Sequence, residues 1–325
     1  MQRRFVLITM AGAALTGTAL PAWSQTPWPS QPIKLLVGFP AGGASDVMAR
    51  LIAHKLSVAL GVPVIVDNRP GAAGTLAASL TARAAADGYT IVLASPTAIT
   101  LAPSTMQGKI TYAPEKDLLP ISMVARYPLF LVANPQLGVK TVGELVRKAK
   151  ETPGKINFAS FGTITSGGLA VEQMKLMAGI DVLHVPFNGS APALQALLGG
   201  TVDLMFDTAI TAVPNIRSGK LVALGVASLQ RSPLMPDVPT VAEAVPGFEA
   251  DSWNGLMAPA GTPASVVARI HAEVVKIIQE ADVKERFATI GATSVGSSPE
   301  VFSRFLKGET VHYAKLVKDA NIKFD

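Results

Sequence analysis

The sequence has 325 residues, a formal net charge of +5 at pH 7 and no cysteine. Hydrophobic residues make up 49% of the chain and charged residues 16%, which is typical of a globular protein and excludes the disordered class. The lack of cysteine excludes disulfide scaffolds, Cys-ligated metal sites and thiol catalysis. At about 150 residues per domain, the length predicts two domains.

The N-terminal segment has the three parts of a secretory signal peptide. Arg3 and Arg4 precede an apolar run over residues 5–20, and residues 22–24 (AWS) form a small-x-small cleavage site. The run is shorter than the roughly 20 residues needed to span a bilayer, so we expect cleavage after Ser24 rather than a membrane anchor. We therefore predict residues 1–24 to be a signal peptide, and the mature protein to be soluble and periplasmic.

The mature chain is less basic than the whole sequence. Without Arg3 and Arg4, 26 of the 28 basic residues remain against 23 acidic ones, so the net charge falls to +3. The sequence has no block of five or six Lys or Arg residues. It therefore predicts no nucleic-acid partner.

Strand and helix patterns alternate beyond the signal segment. Continuous apolar runs predict buried strands over residues 33–39, 62–67 and 90–95, with helical periodicity between them. The same alternation restarts over residues 129–227. Each series is typical of a parallel α/β sheet. From residue 262 onward the patterns are helical, and we expect these helices to pack on the first sheet.

This order predicts a two-lobed α/β protein. We expect residues 25–124 and 229–325 to form the first lobe, and residues 125–228 the second. The chain would then cross between the lobes near residues 121–126 and again near 226–231. Two crossings make a hinge, with a cleft between the lobes.

The common catalytic and cofactor motifs are missing from the sequence. It contains no G-x-S-x-G, no P-loop, no G-x-G-x-x-G that opens a helix after a strand, and no H-E-x-x-H. The four histidines are not spaced to share a metal, and we interpret His184 as a strand-end residue. We expect no catalytic residue, no metal and no cofactor.

Strand-end loops of small and hydroxyl residues remain as the candidate site. Residues 39–45 (FPAGGAS), 68–75 (NRPGAAGT) and 160–168 (SFGTITSGG) each join a predicted strand to a predicted helix. The N–H groups and positive dipole end of each helix would face its loop, which favours an anion. Any one such loop on its own is more often only a tight, well-capped turn. Together they predict an anion site in the cleft, where open α/β sheets bind ligands.

Four further side chains are candidates, and three of them have two interpretations. Arg69 is either a carboxylate clamp or a residue that pins its loop. Asp46 is interpreted as a first-turn helix residue that complements the helix dipole. Asp207 either binds a ligand amino group or caps a strand end, and Trp253 is either core packing or a lip of the cleft.

Short fragments along the mature chain carry a family resemblance. They are residues 28–29 (WP), 32–33 (PI), 38–43 (GFPAGG), 67–72 (DNRPGA), 87–90 (DGYT), 184–187 (HVPF), 198–200 (LGG), 231–233 (RSP), 239–243 (PTVAE) and 258–263 (APAGTP). In this order they resemble the Bug proteins, which are TctC-like periplasmic solute-binding components of tripartite tricarboxylate transporters.

The resemblance implies a type II periplasmic-binding-protein fold, with two Rossmann-like lobes that close on a small organic acid. It also implies integral-membrane permease subunits as partners, no ATPase, and a monomeric receptor. Backbone groups of the first two loops would hold a ligand carboxylate, often through water, and the second lobe would meet its other end. The candidate ligand-binding residues are Phe39, Ala41, Gly42, Gly43, Ser45, Arg69, Ala72, Ala73, Thr75, Ser95, Thr97, Ser160, Phe161, Thr163, Thr165, Asn188, Gly189 and Asp207.

The sequence departs from the family pattern in the second lobe. Family members often carry His where this chain has Gly168, and Tyr-Lys-Gly where it has residues 187–189 (FNG). The losses disfavour a second strongly anionic ligand group and favour a less polar or aromatic carboxylate. Two other functions stay open on the sequence: a ligand-sensing receptor for a membrane kinase, and an exported hydrolase or lyase.

Overall fold

The computed structural model describes residues 27–187 and 189–319, so the predicted signal peptide and Asn188 lie outside the described residues. The strands are β1 (Ile33–Val37), β2 (Val64–Asn68), β3 (Thr90–Ala94), β4 (Leu118–Ala133), β5 (Asn157–Ser160), β6 (Leu183–Pro186), β7 (Leu204–Thr208), β8 (Val222–Val226), β9 (Asp251–Pro259) and β10 (Thr293–Ser294).

The α-helices are α1 (Ala44–Leu60), α2 (Thr75–Ala82), α3 (Ala102–Thr105), α4 (Pro114–Asp117), α5 (Val142–Glu151), α6 (Ser166–Ala178), α7 (Ser190–Leu198), α8 (Ala209–Arg217), α9 (Ala264–Ile277), α10 (Ala281–Thr289) and α11 (Pro299–Asp319). Within the described ranges, no helix is both long enough and apolar enough to cross a membrane. Short 3-10 turns cover Ala72–Gly74, Pro135–Leu137 and Val241–Glu243, and a π-helix covers Thr97–Leu101.

The strands follow the order β2-β1-β3-β9-β4-β7-β5-β6, and β8 and β10 also pair with β4. β1 is parallel to β2 and β3, and β5 is parallel to β6 and β7. β4 and β9 are antiparallel to their neighbours. Two parallel three-stranded units are thus joined through two antiparallel strands.

Strand β4 belongs to both units. Its residues 118–128 pair with β9, whereas residues 129–133 pair with β7 and residues 130–133 with β8. We call the side of the sheet that contains β1, β2, β3 and β9 the first half, and the side that contains β5, β6, β7 and β8 the second half. Strands β4 and β9 therefore connect the two halves.

Helices cover both faces of the sheet in the first half, as a parallel sheet requires. On one face, α1, α9 and α10 bury residues such as Ile52, Ile270 and Phe287 against β1 and β3. On the other face, α2 and α11 pack around Trp253, and Phe302 of α11 meets the Trp253 ring edge-on at 5.4 Å. Trp253 is fully buried, so the structure places it in the core.

The second half is also a three-layer unit. Helices α5 and α6 cover one face, where Phe206 stacks between Phe158 and Phe248 at centroid distances of 5.3 and 5.5 Å. Helices α7 and α8 cover the other face around Phe130 and Met205. Each half thus has its own hydrophobic cores.

The structure returns to the first half later than the sequence predicts. Residues 229–250 were expected in the first lobe, but Val241, Val245 and Phe248 are buried in the core of the second half. The return is β9, which begins at Asp251. The proline-rich composition of residues 229–250 hid these three apolar residues, because they lie in short turns without helical or strand periodicity.

Candidate functional site

The first loop lies between β1 and α1 and is open to solvent. Ala41, Gly42 and Gly43 are exposed, and Gly43 precedes α1 without a side-chain capping bond. The first-turn N–H groups of α1 have no intrahelical partners, so they and the helix dipole favour an anion at this end. Gly42 adopts φ +89°, and its own N–H donates to Asp46 Oδ2 at 2.9 Å.

The second loop lies between β2 and α2 and has an unusual backbone. Ala72 and Ala73 adopt φ +43° and +54°, and Gly74 follows at φ +93°. Left-handed conformations are unfavourable for alanine and cluster at functional sites, where the surroundings hold them in place. The Thr75 hydroxyl donates to the Ala72 carbonyl at 2.9 Å, which closes this turn. No sequence pattern predicts this turn, because alanine does not indicate a positive φ.

Arg69 is committed to a neighbour. Its Nε lies 2.9 Å from Asp67 Oδ1, and its side chain is 53% exposed. This pairing agrees with the interpretation of Arg69 as a residue that pins its loop.

The loops after β1, β2 and β3 meet. A β-carbon at Gly38 would lie 2.5 Å from Gly74 Cα, so the first two loops touch at their glycines. A β-carbon at Gly74 would lie 3.6 Å from both the Phe39 ring and the Ser95 hydroxyl. The carboxyl ends of the three parallel strands thus form one surface, and Thr97 follows Ser95 as another buried hydroxyl residue.

Asp46 joins the first two loops from beneath. Its carboxylate is buried and accepts from the Gly42 N–H, from Arg50 Nε at 2.9 Å and from Asn68 Nδ2 at 2.9 Å. Burial opposes the charge, but the bonds from Arg50, Gly42 and Asn68 outweigh it and lower the pKa of Asp46. The interpretation of Asp46 as a dipole-complementing residue was incomplete, since it holds the loops in place.

The side-chain amide of Asn254, in the connecting strand β9, lies beneath this surface. Asn254 in β9 is fully buried, and its Oδ1 accepts from Ser45 Oγ and from Tyr127 Oη, each at 3.2 Å. Its Nδ2 donates to the Ala94 carbonyl at 3.0 Å. Asn254 was not predicted as a site residue because β9 was not predicted, although an amide within an apolar run was a usable signal.

The second-half loop lies between β5 and α6 and folds against the start of α6. Thr165 Oγ1 accepts from the Gly168 N–H at 3.1 Å and donates to the Gly162 carbonyl at 2.7 Å. A β-carbon at Gly168 would lie 2.3 Å from the Gly162 carbonyl oxygen. The partly buried Phe161 ring packs over Gly167. The loop can therefore pack against the start of α6 only because residues 167 and 168 are glycines.

A serine, a histidine and a glutamate come together beneath this loop. Ser160 Oγ lies 2.7 Å from His184 Nε2, and His184 Nδ1 lies 2.9 Å from Glu172 Oε1. Lys175 Nζ lies 3.1 Å from the other Glu172 oxygen. His184 lies in the four-residue strand β6, but its interpretation as a strand-end residue did not include these partners, which lie 12 and 24 positions away in sequence. Ser160 is fully buried, so the arrangement does not present a nucleophile to substrate.

Asp207 acts as a cap in the structure. It is fully buried, and it accepts from Ser190 Oγ at 2.9 Å, from the Thr208 N–H at 2.8 Å and from Thr211 Oγ1 at 2.7 Å. Burial raises the pKa of Asp207 in spite of these donors. This geometry favours the capping interpretation over contact with a ligand amino group. Gly189 precedes α7 nearby, and Asn188 lies outside the described residues.

The segment that follows β3 and the second-half loop share one apolar cluster. Leu101, at the end of the π-helix that follows β3, shares an apolar cluster with Leu169 of α6, and Ile164 of the second-half loop packs against it. Tyr313 and Leu316 of α11 complete this cluster. Ile164 lies next to Thr163, a predicted ligand residue. Two surface grooves, one between α8 and α10 and one between α1 and α9, lie away from these loops.

Comparison with known proteins gives a consistent family. Residues 48–322 match the model of the tripartite tricarboxylate transporter family receptor. BugT of Bordetella pertussis is 37% identical over 311 residues, which cover 95% of this chain and 95% of BugT. These matches confirm the resemblance to the Bug and TctC-like proteins.

Solved structures resemble the whole described fold. An R. palustris protein with adipate has a TM-score of 0.84 and 33% identity, and the match covers 92% of this chain and 100% of that one. MatC from Rhodopseudomonas palustris with bound malate has a TM-score of 0.79 and 34% identity, with coverage of 89% and 100%. The predicted α/β solute-binding fold is thereby confirmed.

Proposed function

Because the chain belongs to the tripartite tricarboxylate transporter family of receptors, we propose that it captures one small organic carboxylate between its halves and delivers it to permease subunits in the membrane. It is a carboxylate-binding receptor and not an enzyme. The observation that carries the proposal is the contact between the loop that leads into α1, a helix whose N-terminus has no side-chain cap, and the left-handed turn at Ala72–Gly74.

Neutral main-chain donors are sufficient for this task when water is excluded. A hydrogen bond to a carboxylate is about twice as strong as one between neutral groups, and it strengthens further in a low-dielectric cleft. Closure provides this exclusion, because a ligand that touches both halves favours the closed state by its extra affinity for that state. The apolar cluster that contains Leu101 and Leu169, with Ile164 packed against it, joins the halves close to the proposed binding surface.

The second half supports a ligand whose far end is not strongly anionic. Residues 156–174, which include the whole β5–α6 loop, contain no Lys or Arg. Lys175 is paired with Glu172. Phe161 supplies a partly exposed ring and Thr163 a hydroxyl, while the Thr165 hydroxyl is bonded to Gly162 and Gly168. A monocarboxylate, an aromatic acid or a dicarboxylate with an apolar middle, as in the adipate bound to the R. palustris neighbour, fits this chemistry.

The cellular setting follows from the family and from residues 1–24. Family members are receptors of tripartite transporters, and the N-terminal segment has the features of an export signal. We place the mature protein in the periplasm as a monomer, with integral-membrane permease subunits as its partners.

A thermal-shift screen of the mature chain tests the proposal. Monocarboxylic, dicarboxylic, tricarboxylic and aromatic acids are added at matched pH and ionic strength, with inorganic sulfate as the control anion. A ligand at about 100 times its Kd stabilises the folded state by about 2.7 kcal/mol, so a true ligand raises Tm clearly. We expect a mono- or dicarboxylate or an aromatic acid to do so. If no acid raises Tm more than sulfate does, the function is wrong; if only tricarboxylates do, the assigned preference is wrong.

A further inference from the structure

The Ser160, His184 and Glu172 side chains lie on three consecutive elements around the second-half ligand loop. Ser160 is the last residue of β5, Glu172 lies in α6, and His184 lies in β6 beside β5. The serine is fully buried, and the histidine and glutamate side chains are 10% and 13% exposed. These groups lie beneath the loop that the proposed ligand meets.

The Glu172 carboxylate sets the direction of the hydrogen bonds among these groups. An ionised Glu172 only accepts, so His184 Nδ1 carries a proton toward it over 2.9 Å. Lys175, at 3.1 Å, holds the other Glu172 oxygen. Burial opposes the charge of Glu172, but the contacts with His184 and Lys175 lower its pKa below the usual value. In the tautomer with the proton on Nδ1, the lone pair on Nε2 accepts the Ser160 hydroxyl proton over 2.7 Å.

The direction of the Ser160 hydroxyl matters because another acceptor is close. The Gly162 carbonyl oxygen lies 3.2 Å from Ser160 Oγ, and it already accepts from Thr165 Oγ1 at 2.7 Å. The same Thr165 oxygen caps the Gly168 N–H at 3.1 Å. The Gly162 N–H also donates to Ser160 Oγ at 3.4 Å, so the serine links His184 to the Gly162 peptide, whose carbonyl holds Thr165 at the start of α6.

We propose that His184, oriented by Glu172, is a positioning residue that fixes the Gly162–Thr165 segment in its ligand-facing conformation through the Ser160 hydroxyl. The inference rests on the proposed function in one respect only, that this loop contacts the ligand. The conformational part stands on the hydrogen-bond geometry and is measurable without any ligand.

Two amide variants distinguish the roles of the two His184 ring nitrogens. His184→Gln places an amide near the Nε2 position, where it still reaches Ser160. The shorter His184→Asn side chain places its amide near the Nδ1 position, where it reaches Glu172 but not Ser160. We expect hydrogen–deuterium exchange at the Gly168 N–H to be about tenfold faster in His184→Asn than in His184→Gln, as the loss of one supporting hydrogen bond implies. Adipate, the probe ligand, should bind His184→Asn about tenfold more weakly than His184→Gln, as measured by calorimetry.

His271→Asn is the matched control, because His271 also makes a hydrogen bond through Nε2, to the Ser297 carbonyl at 3.1 Å in another part of the fold. It should leave Gly168 exchange and adipate affinity unchanged. Equal Gly168 exchange in His184→Asn and His184→Gln would overturn the positioning role. If exchange separates the two variants while the wild type binds no carboxylate, the positioning role stands and the proposed function fails.

Discussion

Asn68 Nδ2 donates to Asp46 Oδ1 at 2.9 Å and to the Phe39 carbonyl at 3.0 Å. One amide therefore ties the end of β2 to the first turn of α1 and to the first loop. Because Asp46 also accepts from the Gly42 N–H, the two loops at this end of the sheet behave as one rigid unit. Pre-organisation of this kind lowers the entropic penalty that neutral donors incur when they bind an anion.

The first prediction concerns Asp46→Asn. The new amide has only one accepting oxygen, and its NH2 group would face either the Asn68 donor or the Gly42 and Arg50 donors, so the loops should separate. We expect carboxylate affinity to fall about tenfold or more, although removal of a negative charge alone would favour an anion. Calorimetry gives the affinity. Asp87→Asn, which alters an exposed turn carboxylate bonded to the Tyr89 N–H, should have no effect; tighter binding by Asp46→Asn would contradict the loop-holding role.

The second prediction compares two glycines under the same backbone constraint. Gly42 at φ +89° and Gly61 at φ +72° both have open space where a β-carbon would lie. Alanine at either position should lower stability by about 1 kcal/mol through strain alone. Only Gly42→Ala should also weaken carboxylate binding severalfold, since Gly61 merely ends α1. Equal affinities of the two variants, with equal losses of Tm, would argue against the first loop as part of the site.

The third prediction uses a glycine at the start of α6. A β-carbon at Gly168 would lie 2.3 and 2.5 Å from the Gly162 and Thr163 carbonyl oxygens. Gly168→Ala should therefore displace the second-half loop, lower Tm by several degrees and weaken binding. Gly308→Ala is the matched change, because Gly308 lies in α11 with open space around it and should gain about 0.5–1 kcal/mol of helix stability. Full affinity in Gly168→Ala would show that the loop conformation does not matter to the ligand.

The fourth prediction concerns how stability depends on pH through Glu309 of α11, which contacts Trp253 in the connecting strand β9. Burial raises the pKa of Glu309 from 4.5 to about 7, although the Trp253 Nε1–H donates to its carboxylate at 2.8 Å. The folded state thus holds the proton more tightly than the unfolded state does. The contribution to stability is full below pH 4.5 and is lost as the pH rises through about 7.

Glu309→Gln should remove much of this dependence, since the amide oxygen still accepts from Trp253 and carries no charge. We expect the variant to be more stable than the wild type by on the order of 2 kcal/mol at about pH 8, and nearly equal to it at about pH 5. The variant should keep a weaker dependence of stability on pH, because burial also raises the pKa of Asp251, to about 6. Parallel Tm curves for both proteins from pH 5 to 8 would contradict the assignment.

The sequence predicted those parts of the fold that have a local signal. β1 and β3 are continuous apolar runs, and α1 combines 3.6-residue periodicity with Gly61 at its end, so all three were predicted close to their observed places. β9 and the packing of residues 229–250 were not predicted. The apolar residues there are placed by contacts with distant parts of the chain, and they follow no local period.

Some features of the candidate site could likewise be predicted from the sequence, and others could not. The glycine-rich loops were predictable because glycines at a strand-to-helix junction indicate a tight turn or a close approach of the backbone to a ligand. The left-handed turn at Ala72–Gly74 was not predictable, because tertiary contacts impose it on alanines. The roles of Asn254 and His184 were also hidden, since each depends on partners brought close only by the folded sheet.

A crystal structure of the mature protein with its carboxylate bound tests the central claim most directly. We expect one ligand carboxylate to lie about 2.7–3.2 Å from main-chain nitrogens of residues 41–46 and 72–75, directly or through one water. The other end of the ligand should lie against Phe161 and Thr163. A carboxylate held by the Arg69 guanidinium, or a ligand seated in the groove between α8 and α10, would contradict recognition by the main chain.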